Sequence, residues 1–279
     1  MKKFVFLISL LTCFTASGDL AAQKKFLFQR AAEGDAWFDR GYYERAERIY
    51  EAVAADARKN KKNYRPAQSL YLQKLAKAKA KLGKLEDAEA LYREAEKIVA
   101  EEGSISEVTR IQAINGLADV YRQLGEHDKA GKILGDPLVA QEELMGPDHP
   151  ALAITLNKQI LLLRDQGQID AAMALVPRTL AVAKWRSVRM EVMKNTGDLH
   201  AKLDEQQAAQ KMYAQSLEVR ERWLWNNGFV EHKAEPLSHV EFLEAYAGFL
   251  LKVGETAEST RLTAKAAEIR ARRGFNEVK

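Results

Sequence analysis

Two asparagines and two arginines recur at one spacing in the middle of the chain, and their chemistry is that of non-covalent recognition. Asn115 and Asn157 are 42 residues apart, and so are Arg122 and Arg164. An asparagine amide donates and accepts hydrogen bonds at once, so it can pair with a peptide main chain. A guanidinium can bind a carboxylate through two parallel hydrogen bonds. The spacing predicts that each pair occupies equivalent positions of a repeated element.

Glycines at a fixed interval mark the element that must position these side chains. Gly41, Gly83, Gly125 and Gly167 each follow the last by 42 residues, and an alanine stands five residues after each of them. A fixed period of this size is the signature of a repeat array. Around Gly83, apolar residues at helical spacing precede and follow the glycine. This pattern predicts two amphipathic helices joined by a tight turn, where glycine adopts a positive φ without steric cost.

The pattern resembles the tetratricopeptide repeat. Ala76, Gly83, Ala88, Tyr92 and Ala95 match its small and aromatic positions in the second repeat. Aligning the rest of the chain gives six repeats within residues 24–274, near 27–60, 69–102, 111–144, 153–186, 190–225 and 240–273.

In the fifth repeat of this alignment Asp204 takes the place of the turn glycine, and in the sixth the turn glycine is Gly254. Residues 226–238 form an inserted loop between these two repeats. The resemblance implies an all-α, right-handed superhelical solenoid with no room for a separate catalytic domain.

The 42-residue period indicates a subclass of this family. Residues 144–157, with the sequence LMGPDHPALAITLN, resemble the segment between repeats of kinesin light chains and their bacterial relatives. Proline suits the first turn of a helix, so we expect one to open at Pro150, with Asp148 as its N-cap. His149 is then expected to be structural.

The resemblance implies that the first helix of each repeat lines a concave face. Aligning the repeats on the turn residue predicts a peptide-binding groove from the second to the fifth repeat, formed by Gln73, Lys77, Lys81, Gln112, Asn115, Arg122, Asn157, Arg164, Lys194 and Lys202. The acidic residues Asp119, Asp165 and Asp198 fall on the same face. Family members use asparagines in this region to hold a peptide main chain, and the cations suit a partner with acidic residues or a C-terminal carboxylate. The alternative is an ordinary solvated helix face.

The N-terminus has the layout of a secretory signal peptide. A basic start is followed by an apolar run from Phe4 to Leu11 and by small residues, which predicts cleavage after residue 18 or, alternatively, after residue 22. We therefore expect an exported protein, periplasmic or extracellular, without a transmembrane span in the mature chain. Cys13, the single cysteine, lies in a loose lipobox-like sequence, so a lipid anchor there is the alternative, although Thr12 fits that motif poorly.

Charge and motifs narrow the function classes. Removing residues 1–18 takes away two lysines and no acid, so the formal charge falls from +4 to +2. A nearly balanced chain does not favour a general nucleic-acid or membrane-surface binder. The five histidines form no metal-binding motif, and no nucleophile elbow, P-loop or dinucleotide fingerprint occurs. We therefore expect no catalytic residues, metal or cofactor.

The sequence leaves three function classes in order of preference. The first is a non-catalytic scaffold or adaptor of the cell envelope that binds an extended peptide or a partner protein. The second is a binder of a glycan or other anionic envelope polymer, using the groove and the basic stretch 58–65, which is otherwise an exposed loop. The third is an enzyme of unrecognised type.

Overall fold

A computed structural model describes residues 22–59, 61–102, 107–226 and 236–273. The signal segment, Cys13 and most of the 226–238 insertion lie outside these ranges. The described residues form twelve α-helices: α1 (22–39), α2 (Tyr43–Lys59), α3 (Lys61–Lys81), α4 (Leu85–Glu101), α5 (Glu107–Gln123), α6 (His127–Met145), α7 (Leu152–Asp165), α8 (Ile169–Val182), α9 (Arg186–Lys202), α10 (Gln206–Asn226), α11 (Leu237–Lys252) and α12 (Thr256–Arg273).

The helices pair as consecutive hairpins, each a first helix and a second helix joined by a short turn. The turn residue has a positive φ in all six: Gly41, Gly83, Gly125, Gly167, Asp204 and Gly254. After a typical turn, the Lys84 amide donates to the carbonyl of Lys79, which closes the end of the first helix. The six hairpins confirm the prediction of an all-α tetratricopeptide solenoid.

Stacking of neighbouring hairpins builds the core, because one hairpin cannot cover its own apolar face. In α4 the buried side chains Ala88, Tyr92, Ala95 and Val99 follow helical spacing and form one stripe. Tyr92 then packs against the next hairpin so closely that a Cβ added at Gly116 would lie 2.3 Å from its ring. The buried apolar residues form successive clusters along the stack, as expected for a quasi-linear array.

Two local expectations are corrected by the structure. The described part of the basic stretch 58–65 is not a loop, since residues 58 and 59 end α2 and residues 61–65 belong to α3. At α7 the N-cap is Ala151, with no side-chain cap, so Asp148 does not cap the helix. Instead, the Ala151 amide donates to Nδ1 of His149 at 3.2 Å. His149 therefore stabilises the turn that leads into α7 through this hydrogen bond.

The two ends of the array come into contact. A Cβ added at Gly41, in the first turn, would lie 2.5 Å from Cδ2 of Leu237, at the start of α11. Nearby, burial and the charge of Glu241 on α11 raise the pKa of Tyr43 on α2. The stack therefore curves far enough to bring the first hairpin against the sixth.

Candidate functional site

A cavity of about 360 Å³ opens across the first helices of the second, third and fourth hairpins. Four of the predicted groove residues line it: Gln73, Lys77, Gln112 and Asn115. Its walls also include apolar Leu70 and Ile154 and the cations Lys74 and Lys158. We call it the groove cavity. The structure thus brings these four residues into one concavity, although their binding role stays a prediction.

The two asparagines at equivalent positions connect neighbouring repeats. Asn115 is 3% exposed, and its Nδ2 donates to Oγ1 of Thr155 at 3.2 Å. Asn157 accepts a hydrogen bond at Oδ1 from Nδ2 of Asn195 at 3.0 Å. The Oδ1 atom of Asn157 is therefore already hydrogen-bonded within the fold. The Oδ1 atom of Asn115, a residue that lines the groove cavity, is buried and has no partner among the described residues.

Gln73 is also hydrogen-bonded within the fold. Its Nε2 donates to the carbonyl of Thr109 at 3.2 Å, which joins the second repeat to the third. Gln112 is exposed in the same cavity. Of the two predicted glutamines, Gln112 is the one whose amide faces solvent.

Arg122 and Arg164 form ion pairs with carboxylates of the following repeats. Arg122 pairs with Asp165, and Arg164 reaches Asp165 at 2.9 Å and Asp198 at 3.2 Å. Lys194 completes the chain of charges, with Nζ 2.7 Å from Asp198. We call these five residues the inner-face network.

The network holds the carboxylate of Asp165 in the charged form. Partial burial alone would raise the pKa of Asp165, but hydrogen bonds from Arg122 and Arg164 outweigh it and bring that pKa below its ordinary value. An incoming carboxylate would have to compete with these resident acids. Sequence reasoning placed the acids and the arginines on one face but gave no distances that would pair them.

Lys77 and Lys81 differ from the arginines, because neither ammonium has a carboxylate within 4 Å in the described part of the chain. Lys77 Nζ lies 4.7 Å from the ring centre of Phe38, and Lys81 Nζ lies 5.9 Å from that of Tyr43. The side chain of Lys77 is exposed to solvent and lines the groove cavity.

Lys77 lies among other lysines, of which Lys74 is paired with Asp35 and Lys158 with Asp119. Burial by the wall lowers the pKa of its ammonium, and although Asp39 opposes this, Lys158, Lys81 and Lys74 add to it. Like charges close together disfavour one another unless a counter-ion is present. A ligand carboxylate near Lys77 would relieve this repulsion.

Lys202 lies further along the array, in a second cavity of about 480 Å³ between the fifth and sixth hairpins. Its lining includes Tyr213, Phe249 and Gly248, and Lys252 as well as Lys202. At this junction α10 approaches α11 mainly through Tyr213, whose ring centre lies 5.1 Å from those of Tyr246 and Phe249. The sequence contained one signal of this cavity, the small residues Ala245 and Gly248 on α11.

The basic stretch 58–65 is largely committed to the fold at its two ends. Arg58 pairs with Glu94 at 2.5 Å, and Arg65 Nε lies 3.0 Å from Glu102. These arginines therefore connect α2 and α3 to α4. They offer less free charge to an anionic polymer than the sequence indicates.

The described residues contain neither a candidate metal cluster nor a helix suited to span a membrane. No three histidine, cysteine, aspartate or glutamate side chains in these ranges come together in a way that could hold a metal ion. Within the same ranges, no helix has the length and apolar character needed to cross a membrane.

Comparison with known proteins agrees with the fold. The family model for the tetratricopeptide repeat matches residues 109–184. No curated protein matches the chain by sequence.

Several solved structures are similar in fold. BtubC (BKLC) from P. vanneervenii has a TM-score of 0.61 at 19% identity, over 85% of this chain and 93% of that one. A putative kinesin light chain from P. anserina has a TM-score of 0.52 at 19% identity, over 70% and 95%. A Rap protein complexed with competence and sporulation factor has a TM-score of 0.61 at 11% identity, over 89% and 76%. The P. anserina neighbour contains kinesin-light-chain repeats of the kind that the sequence resembles.

Proposed function

We propose that this chain, which belongs to the tetratricopeptide-repeat family, is a non-catalytic scaffold that holds an extended, acidic segment of a partner protein in its groove cavity. The fold is one that binds protein partners. The observation that carries the proposal is the placement of Lys77, a cation without a carboxylate partner in the described ranges, in the wall of a concavity lined by three consecutive first helices. Lys81, a second such cation, follows one helical turn later on α3.

Shape and polarity favour an extended chain over a compact ligand. The groove cavity runs across three helices and is open to solvent, so a strand-like segment could lie along it while its ends continue outward. The exposed amide of Gln112 offers hydrogen bonds to a main chain. Leu70 and Ile154 provide apolar contacts for alternate side chains.

Charge favours an acidic segment. Lys77 and Lys81 are held over aromatic rings of the first hairpin, so their ammonium groups are positioned without being neutralised. The inner-face network, by contrast, already contains its own carboxylates. We therefore place the acidic anchor at the second repeat and treat Arg122 and Arg164 as secondary contacts. The Rap structure, bound to competence and sporulation factor, is a precedent for ligand binding on a similar fold.

The experiment is a titration with defined peptides. Acidic, neutral and basic twelve-residue peptides are labelled and titrated against the chain by fluorescence anisotropy. We expect the acidic set to bind most tightly, and the charge reversals Lys77→Glu and Lys81→Glu together to weaken that binding at least tenfold.

The matched control is Lys132→Glu with Lys211→Glu, the same charge change at exposed positions on second helices. It should change affinity less than threefold. Equal binding of acidic and basic peptides, or equal effects of the two double variants, would contradict the proposal.

We also propose that the chain is exported through its N-terminal segment. The support is the order of a basic start, an apolar run and small residues before residue 19. Mass spectrometry of the mature N-terminus tests it: a chain that begins at Asp19 or Gln23 agrees with cleavage, a lipid-modified Cys13 indicates an anchor, and an intact Met1 contradicts export by cleavage.

A further inference from the structure

A third cavity, about 260 Å³ in volume, lies where the fifth hairpin, the start of α11 and the end of α1 meet. We call it the junction cavity. It shares no lining residue with the groove cavity. Its walls include Asp39, Met190, Arg220, Trp223, Leu224 and His239.

The junction cavity contains buried polar atoms without partners. His239 is 2% exposed, and neither of its ring nitrogens has a hydrogen-bond partner among the described residues. Arg220 is 3% exposed; its Nη2 pairs with Glu191, but its Nε has no partner in the same set. A buried polar group left unsatisfied destabilises the fold, because its hydrogen bonds to water are lost without replacement. Such groups in native proteins usually meet water or a ligand.

The protonation state of His239 defines what it can bind. Burial, with Lys265 and Arg220 nearby, lowers its pKa to about 3, so the ring is neutral at physiological pH. A neutral imidazole carries one N–H donor and one acceptor. With the N–H of Arg220 Nε, the wall of the cavity therefore contains two donors and one acceptor that are buried and lack a partner among the described residues.

The charges around the cavity do not favour an anion. The guanidinium of Arg220 is already paired with Glu191, and Asp39 adds a second carboxylate at the wall. Met190, Leu224 and Trp223 provide apolar surface on the remaining sides. The complementary ligand is neutral, with adjacent hydrogen-bond donors and acceptors and an apolar face.

We propose that the junction cavity binds one neutral sugar unit. Each sugar hydroxyl donates and accepts, which suits a neutral histidine beside an arginine N–H, and the C–H face of a sugar ring suits Trp223 and Met190. The volume lies below the roughly 300–1,000 Å³ of sites for drug-sized ligands, so it fits one ring. Because Asp39 comes from the first hairpin, an occupant would contact both ends of the array.

The test is calorimetric titration of the intact mature chain with glucose, N-acetylglucosamine and glucuronate. We expect saturable binding of at least one neutral sugar, and weaker binding of the charged one. A soluble N-acetylglucosamine oligosaccharide is added as a further arm: tighter binding than the single sugar identifies a unit of a glycan as the source, and equal binding identifies a free sugar. Absence of saturable binding by both neutral sugars, or tighter binding of glucuronate, overturns the proposal.

Four variants test whether sugar binding takes place in this cavity. Ser187 lies exposed at its wall, so Ser187→Phe should block it without disturbing the core, and Thr260→Phe on α12 is a control that does not line it. His239→Leu removes a donor and an acceptor, whereas His239→Gln keeps both. We expect Ser187→Phe and His239→Leu to weaken binding at least tenfold, and the control and His239→Gln to stay within threefold. Unchanged affinity of Ser187→Phe would overturn the assignment.

Discussion

Gly41 and Leu237 are in van der Waals contact, although they lie in the first and sixth hairpins. The contact depends on the absence of a side chain at Gly41, where an added Cβ would lie 2.5 Å from Cδ2 of Leu237. Beside it, burial and the charge of Glu241 raise the pKa of Tyr43 to about 12. The two ends of the solenoid therefore meet through one glycine turn and the start of α11.

We expect Gly41→Ala to open this contact. An L-residue at the φ of +83° found there costs about 1–2 kcal/mol, and the new methyl group must also displace Leu237. The measurement is the distance between spin labels in a chain carrying Arg40→Cys, Glu241→Cys and Cys13→Ser, with and without Gly41→Ala.

Gly83→Ala is the matched control for this experiment. Its φ is +75°, but nothing lies within 4 Å of its added Cβ. It should lower the free energy of unfolding by a similar strain cost and leave the label distance unchanged. If both alanines lengthen the distance equally, the contact between the ends does not depend on Gly41.

Asp204 occupies a turn where the other five hairpins have glycine, and its φ of +60° is unfavourable for a residue with a Cβ. Asp204→Gly should therefore raise the free energy of unfolding by about 0.5–1 kcal/mol, the strain relieved being partly offset by glycine's greater freedom in the unfolded chain. Gly125→Asp, at the equivalent turn, should lower it. Urea denaturation of both variants checks the pair, and destabilisation by Asp204→Gly would count against a strained turn.

The lowered pKa of His239 predicts that the protein loses stability in mild acid. Its pKa is about 3 in the folded chain and about 6.5 when unfolded, so below pH 6.5 the unfolded state takes up a proton that the folded state refuses. The free energy of unfolding should fall from this source as pH falls through the window from 6.5 to 3, by about 2 kcal/mol at pH 5.

His239→Gln should remove this pH dependence while keeping an amide donor and acceptor in place. The measurement is chemical denaturation of both proteins at pH 7 and pH 5, a range in which most carboxylates stay ionised. Parallel losses in the two proteins would show that His239 is not the group responsible.

Asp165 should limit the binding of acidic ligands at the inner-face network. Asp165→Asn removes the carboxylate that pairs with Arg122 and Arg164. Because these pairs are partly exposed, we expect a stability loss of no more than about 1 kcal/mol. Affinity for the acidic peptides should rise several-fold, whereas Asp170→Asn, at an exposed position on α8, should leave this affinity unchanged. Unchanged affinity would exclude Arg122 and Arg164 from the binding surface.

The repeat architecture could be predicted from the sequence because it depends on local chemistry. A turn with positive φ requires glycine or a tolerant substitute, so the interval from Gly41 to Gly167 and the substitute Asp204 are visible in one dimension. Helical periodicity then requires that each apolar stripe be covered by a neighbouring hairpin. These two requirements were sufficient for the fold and for the equivalence of Asn115 with Asn157.

Which polar groups remain available was decided by the tertiary structure. Arg122, Arg164 and Lys77 share one face in the sequence alignment, but only the packing of successive repeats shows that the arginines meet Asp165 and Asp198 while the lysine lies over Phe38. The partners are some forty residues apart along the chain, and their pairing depends on the rise and rotation between repeats. The same curvature brings α1 to α11 and forms the junction cavity, which no local pattern encodes because its walls come from opposite ends of the array.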